Sequence, residues 1–455
     1  MRLIKIKKGL DIPIAGAPAP EIKDVPYMGP SAVYQEIEGL KAKVVVAEGD
    51  TVQRGSPLFF DKKNPDLKFV SPLAGTVKQI ERGARRALYR ILIEPSANQS
   101  SVAFPQYAPE ALLALDRDAI LQSLLQSGLL RFIQQRPFSH IADPAVTPKA
   151  IFVNGMNTAP FTPDLNVAVA GAETAFQAGL NLLTRLTDGA VHLCLAPPGP
   201  DTASALKDAQ HVNIHYFEGP HPAGNSSVHI HHIDPMLPDD KVWIVRGVDL
   251  IRIGQLFISG EYPRTKLITL AGPGVKEDAR AYYRVPVGMP LKDWLSDLIK
   301  AGEQRIINGD VLAGQAISID EHMRSGATTV TVVPEGREQH FMGWLAPGIN
   351  KLSASRTYLS GWFGHKRKWD LTTSTNGSPR AMVLTGLYDQ YMPMNIMVDF
   401  LVRAVLAHDT TEAIQLGILE TDPEDFALCA YACPSKMDLC GVIKQGLREI
   451  EEEGI

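Results

Sequence analysis

The chain lacks any uninterrupted apolar run of the ~18–20 residues that a membrane helix requires. The nearest candidate, Met392 to Leu406, is broken by Pro393, Asn395, Asp399 and Arg403. A secretory leader is missing too: Met1-Arg-Leu-Ile-Lys-Ile-Lys-Lys8 alternates charge with apolar residues, where a leader needs a continuous apolar stretch. These absences predict a soluble, cytoplasmic chain with no transmembrane segment of its own, and the alternation predicts a β-strand. Basic excess is missing as well. Net charge is −5 and the pI about 6.2, which argues against a nucleic-acid partner. Cysteines number only four, Cys194, Cys429, Cys433 and Cys440, and in a reducing compartment they are expected as thiols.

Standard nucleotide and nucleophile signatures are also lacking. No Gly-x-Gly-x-x-Gly opens a helix after a strand, and there is no P-loop lysine motif. A pyrophosphate would therefore lack its usual cradle of backbone amides. No Gly-x-Ser-x-Gly elbow is found either. Nothing points to an autonomous active site.

What is present is ordinary globular material: 45% hydrophobic and 21% charged residues over 455 positions. That length suggests about three domains at ~150 residues each. Residues 1–40 are rich in proline and glycine and read as an extended arm. Short strand candidates follow at Val44 to Val46, Pro57 to Phe60, Lys68 to Val70, Gly75 to Val77 and Tyr89 to Ile93, punctuated by turn residues. Leucine spacing predicts helix across 109–136. Strand, helix and strand then alternate from about 150 to 255, with strands at Ala150 to Val153, Val191 to Leu195 and Val212 to Phe217. That alternation predicts a largely parallel sheet. Strands at Lys266 to Leu270 and Ala281 to Val285, with a helix from Leu291 to Ala301, suggest a β-grasp module. Residues 331–375 read as loop, with Trp344, Trp362, Trp369 and the basic cluster His365 to Lys368. From Pro393 the chain reads as helix to its acidic end, Glu449 to Glu453.

The expected fold is therefore multidomain, α/β and α+β. Residues 1–100 form an arm and a barrel-sandwich module, and 101–256 a Rossmann-like α/β domain. Residues 257–330 form a β-grasp (SLBB-like) module, and 331–455 a loop-rich segment with a C-terminal helical domain.

Three features invite chemistry. Glu48-Gly-Asp-Thr-Val-Gln-Arg-Gly55, Asp61-Lys-Lys63 and Ser71-Pro-Leu-Ala-Gly-Thr-Val77 look like a lipoyl/biotinyl carrier domain. There is no Met-Lys-Met, so the alternatives are a carrier modified at Lys62 or Lys63 and an unmodified barrel-sandwich. His221, His229, His231 and His232 are concentrated, and Asp234 could add a carboxylate to a metal site. On a strand His229 and His231 would share one face; packing histidines are the alternative. Cys429-x₃-Cys433-Pro434 with Cys440 resembles part of an iron–sulfur run, but the upstream Cys-x₂-Cys is missing. Buried thiols are the alternative there, and no metal ligand is assigned.

A further set of motifs extends along essentially the whole chain. It comprises Gly9 to Pro18 (Gly-Leu-Asp-Ile-Pro-Ile-Ala-Gly-Ala-Pro), Asp61-Lys-Lys-Asn-Pro65, Gly219-Pro-His-Pro-Ala-Gly224, Leu270-Ala-Gly-Pro273, Asn308-Gly-Asp310, Pro334-Glu-Gly-Arg337 and Asp425-Phe-Ala-Leu-Cys429 with Cys433-Pro434. Together they resemble the A subunit of the Na⁺-translocating NADH:quinone oxidoreductases. The resemblance implies a peripheral component on the cytoplasmic face of the bacterial inner membrane. Its complex would pass electrons from NADH to ubiquinone and export Na⁺, with flavins, iron centres and NADH held by partner subunits. It also implies a likeness to flavin-binding subunits of other respiratory complexes. Ser127 to Phe138 lies in register with their glycine-rich flavin loop, but Arg131, Phe132, Ile133 and Gln134 replace its glycines. Close backbone approach to a flavin needs glycine, so the expectation is an electron-transfer fold without a tightly bound cofactor. Arg136, Pro137 and Phe138 are the expected quinone-proximal residues, offering a guanidinium and an aromatic face. A lipoyl/biotinyl-type carrier or a stand-alone flavin or iron–sulfur dehydrogenase would be the competing functions.

Overall fold

The structure is a computed structural model. It describes residues 2–338, 343, 345–353, 357–363, 367–383 and 386–454. Trp344, His365 and Lys366 lie outside the described residues.

The proline-rich start is not one free arm. Arg2–Lys5 joins the edge of a seven-stranded sheet, parallel to Asn213–Glu218. Its alternation holds: Ile4 is buried and Leu3 exposed. Ala19–Asp24 then pairs with Ala281–Pro286 in a second sheet, and Ser31–Tyr34 with Leu88–Pro95 in a third. Pro13, Pro18, Pro26 and Pro30 fall between these strands, where the missing N–H costs no ladder bond. The segment threads three sheets together.

A four-stranded and a three-stranded antiparallel sheet build the barrel-sandwich. Their shared core includes Leu58, Phe59, Phe69, Val77, Ile91 and Ile93. Phe59 and Phe69 stack with ring centroids 4.5 Å apart. Lys62 and Lys63 are exposed in the connection between Pro57–Asp61 and Lys68–Val70.

Across the seven-stranded sheet the strands run Arg2–Lys5, Asn213–Glu218, Ala190–Leu195, Ala150–Asn154, Val242–Arg246, Ile133–Arg136 and His140–Ile141. The first five are parallel and the last two antiparallel. Both faces of the central strands are covered, so Ala150–Asn154, Ala190–Leu195 and Val242–Arg246 are largely apolar. Ile151 and Val153 point into the core that continues to the barrel-sandwich. Ala150 and Phe152 point the other way, into a core shared with the C-terminal helices. On the first face the helices Glu173–Leu183 and Gly247–Ser259 pack so closely that a Cβ on Gly254 would lie 1.8 Å from the Ala175 carbonyl oxygen.

The helix expected over 109–136 is shorter. Only Arg117–Ser127 is α-helical, and Gly128 ends it at φ 69°. A Cβ on Gly128 would also lie 2.3 Å from the Lys68 carbonyl oxygen of the barrel-sandwich. Beyond it Ile133–Arg136 is an edge strand beside Val242–Arg246. Leucine periodicity is a local signal, and strand pairing overrides it here.

In the second sheet Thr265–Ala271 and Thr329–Pro334 are central and parallel. Ala281–Pro286 and Gln304–Asn308 flank them antiparallel. The helix expected to Ala301 stops at Leu295, because Ile299 bridges to Val275. Trp369 is buried against the N-terminal segment through its bridge to Ile14, while Trp362 is exposed. The C-terminal helices Val398–Leu406, Thr410–Gln415, Ala427–Ala432 and Leu439–Glu453 follow, and Glu449 to Glu453 form the last turns of the final one.

Candidate functional site

In an open parallel sheet the binding crevice lies beyond the carboxyl ends of the strands, where the strand order reverses. Here that place is between Ala150–Asn154 and Val242–Arg246. The residues that follow these strands are Gly155 and Gly247. Both face Leu165, which is buried and starts the helix Leu165–Val169 capped by Asp164. A Cβ on Gly247 would lie 2.7 Å from a Leu165 methyl, and one on Gly155 2.8 Å from it. Leu165 thus plugs the crevice. Asn154, the polar group at its mouth, donates to the Gly224 carbonyl (2.9 Å) and contacts Ser226 Oγ (3.1 Å).

The substituted loop is filled as well. Phe132 and Ile133 are buried. The Arg131 guanidinium lies 5.0 Å from the Phe132 ring centroid and 5.6 Å from that of Phe69. Side chains occupy the space that glycines would leave open.

Arg136 closes the edge strand and is 2% exposed. Its Nη1 donates to the Thr421 carbonyl (3.1 Å) and to Asp422 Oδ2 (2.6 Å). Ser139 Oγ donates to the same carboxylate oxygen. Asp422 caps the turn Pro423–Phe426, and its backbone N–H donates to Asp425 Oδ2 (2.8 Å). Asn225 Nδ2 donates to the other oxygen of Asp425, also at 2.8 Å. Burial pushes the Asp425 carboxyl up, and Arg136 opposes that shift. This network ties the α/β sheet to the C-terminal helices. Pro137 follows a cis peptide, and Phe138 has φ 74° with its ring half-buried beside His140. Arg136 therefore neither caps a helix nor presents its guanidinium to solvent. Asp422 and Asn225 were not singled out from sequence, and Asp425 was read only as part of a family motif, although Asp-Pro-Glu-Asp is a legible capping pattern.

The cysteines do not fit a cluster. Cys429 and Cys433 are fully buried, and Cys440 is half-buried. Cys433 Sγ shares a hydrogen bond with Tyr388 Oη (3.0 Å). Burial holds Cys429 well above the usual thiol range and pushes Cys440 up to about 12.

His229, His231 and His232 lie on the helix Ser226–Ile233, which corrects the strand expectation. Helical spacing sets His229 and His232 against Phe217, with centroids at 4.4 and 6.4 Å, and sends His231 to Glu420 (3.1 Å). Asp234 pairs with Lys149 (2.8 Å). Burial lowers His229 to about 3 and His221 to about 4. Among the described residues no group of three His, Cys, Asp or Glu is placed to hold a metal. A pair the sequence did not reveal joins His192 Nδ1 to His215 Nε2 at 3.0 Å across adjacent strands.

Three family descriptions match the chain. Residues 4–96 match the NqrA N-terminal barrel-sandwich hybrid domain, 115–262 the NqrA second alpha/beta domain, and 267–318 the NQRA C-terminal domain. Similar proteins include the A subunit of the Na(+)-translocating NADH-quinone reductase of Pasteurella multocida, 40% identical over 99% of this chain and 100% of that one. The corresponding proteins of Klebsiella pneumoniae (strain 342) and Yersinia pestis bv. Antiqua (strain Angola) are 41% and 40% identical, again over 99% of this chain and their full lengths.

Proposed function

The chain belongs to the NqrA family, the A subunits of the Na⁺-translocating NADH-quinone reductases, and on that premise we propose that it is the peripheral, cofactor-free component of such an enzyme. The complex oxidises NADH, reduces ubiquinone and exports Na⁺; partner subunits hold the flavins, iron centres and NADH. The observation that carries the cofactor-free reading is Leu165, whose side chain fills the switch-point crevice against Gly155 and Gly247. The chain divides at 1–100, 101–256, 257–330 and 331–455, with the N-terminal strands completing the sheets of the later units.

Among the described residues no helix is long and apolar enough to cross a membrane. Attachment at the cytoplasmic face of the inner membrane is then through partner subunits. The surface offered is the loop-rich segment, where Leu345, Ile349, Leu359, Trp362 and Val383 are exposed, Trp362 by 74%, near the basic Arg367 and Lys368 in sequence. For the quinone, the segment Arg136–Pro137–Phe138 is the proximal element. Phe138 supplies an aromatic face, and Arg136 is a positioning residue that anchors the segment through Asp422. In the intact complex Phe138→Ala should raise KM for quinone more than it lowers kcat. Unchanged quinone affinity and inhibitor sensitivity would remove this segment from the site.

The deciding experiment tags the C-terminus and extracts native-host membranes in mild detergent. Na⁺-stimulated NADH:quinone reductase activity, flavin content and the intact mass of this chain are then measured in the recovered material. Activity co-purifying with flavin-bearing partners, and an unmodified mass for this chain, is the expected result. Recovery of a partner-free chain with a lipoyl- or biotinyl-sized mass increment on Lys62 or Lys63 would overturn it in favour of a carrier.

A further inference from the structure

The helix Gly247–Ser259 carries a buried cation whose hydrogen bonds are unaccounted for. Arg252 is 4% exposed. Its guanidinium lies 4.6 Å from the Phe132 ring centroid, and Nη1 is 3.8 Å from Asp249 Oδ1, too far for a hydrogen bond. Among the described residues Nε, Nη1 and Nη2 all lack a hydrogen-bond partner. Asp249 is already engaged by Arg246, whose Nε donates to Oδ2 at 2.6 Å.

The surroundings add positive charge. Lys266 is also 4% exposed, and its Nζ donates to the Ala327 carbonyl (2.8 Å) and to that of Arg324. Arg131, also beside the Phe132 ring, donates to the Tyr262 hydroxyl (3.3 Å), and among the described residues its Nε is unpartnered. The carboxylates nearby are Asp249 and Glu36, and Glu36 is occupied by the backbone N–H groups of Ser325 (2.6 Å) and Gly326 (3.2 Å). Burial and the neighbouring Arg252 hold the Lys266 ammonium well below its usual range. Arg131, Arg246, Arg252 and Lys266 outnumber the carboxylates Asp249 and Glu36 there. An unsatisfied buried guanidinium is strongly disfavoured, and the excess is positive.

We propose that Arg252 binds a monovalent inorganic anion of chloride size where the α/β unit meets the second sheet. A spherical ion of one charge offsets the positive excess. The burial of Arg252, Phe132, Tyr262, Lys266 and Asp249 speaks against a larger organic phosphate. The anion is structural, set between Arg252 and Phe132 of the α/β unit and Lys266 of the second sheet.

The test uses the full chain in sodium salts at constant ionic strength, so that Na⁺ never varies. Chloride and bromide should each raise the thermal unfolding midpoint relative to gluconate, in the concentration-dependent way that ligand linkage requires. Crystals in bromide should show an anomalous peak within hydrogen-bonding distance of the Arg252 guanidinium. Arg252→Met, which keeps an apolar stem against Phe132, should lose the halide dependence. Ordered water alone at Arg252, with no anomalous peak, would overturn the proposal, whether or not the variant folds. So would equal midpoints in chloride and gluconate.

Discussion

Replacing Arg136 tests how the α/β sheet and the C-terminal helices are joined. Arg136 is 2% exposed and faces Asp422 at 2.6 Å, with Asp425 one hydrogen bond beyond. Removing one partner of a buried ion pair costs about 3–5 kcal/mol, because the other charge is left uncompensated. Ser139 still donates to Asp422, so the lower end is expected for Arg136→Met. Hydrogen exchange is the suitable assay, since a chain of several units need not unfold in one step. Protection in Ala427–Ala432 and Leu439–Glu453 should fall by about two powers of ten at 1.4 kcal/mol each. The effect should also depend on pH. Burial raises the Asp425 carboxyl, and Arg136 is the largest of the influences that lower it, ahead of hydrogen bonds from Ser227 and Asn225. A carboxyl raised in the folded state contributes stability that is full below its unfolded pKa of ~3.9 and lost as pH rises through the folded value. Without Arg136 that folded value rises further. The deficit should therefore be smaller in acid and grow toward neutral pH. Asp422→Asn added to Arg136→Met should recover much of the loss, since removing both partners leaves no orphan charge. A deficit that stays flat with pH, or normal exchange in both helices, would refute the reasoning.

Other perturbations have equally definite outcomes. Gly254→Ala should destabilise the chain by about 1–3 kcal/mol or more, measured by urea titration, because its Cβ would meet the Ala175 carbonyl at 1.8 Å and the helix pair must part. Cys433→Ala and Cys429→Ala should leave the iron content of the purified chain unchanged by elemental analysis; a loss of iron in either would return the cysteines to a cluster. His192 is lowered to about 4 by burial and by His215, so the stability it contributes is intact above the unfolded pKa of ~6.5 and is lost as pH falls toward about 4. His192→Gln should flatten the stability–pH curve in that interval, and an unchanged slope would remove the pair from the account.

Local patterns made much of the molecule legible. Alternation in Met1 to Lys8 marked a strand, and the strand–helix–strand alternation from about 150 to 255 marked a largely parallel sheet. The motif set spread from Gly9 to Cys433 pointed to the NqrA family, which the full-length similarity bears out. Errors fell where local and distant signals compete. Leucine spacing beyond Gly128 read as helix, yet Ile133–Arg136 is drawn into the sheet by Val242–Arg246. The histidines near residue 230 read as strand, yet Asn225 opens a helix packed on Phe217.

The sequence alone determined most of the elements and the family, because turn residues, periodicity and composition act over a few positions. Only the tertiary structure decided what those elements do to one another. Arg136 meets Asp422 across 286 positions, Leu165 closes the crevice between two strands, and Arg252 lies against Phe132 from a different part of the chain. Each contact depends on how separate units dock, and docking geometry is set by packing between distant segments rather than by any local pattern.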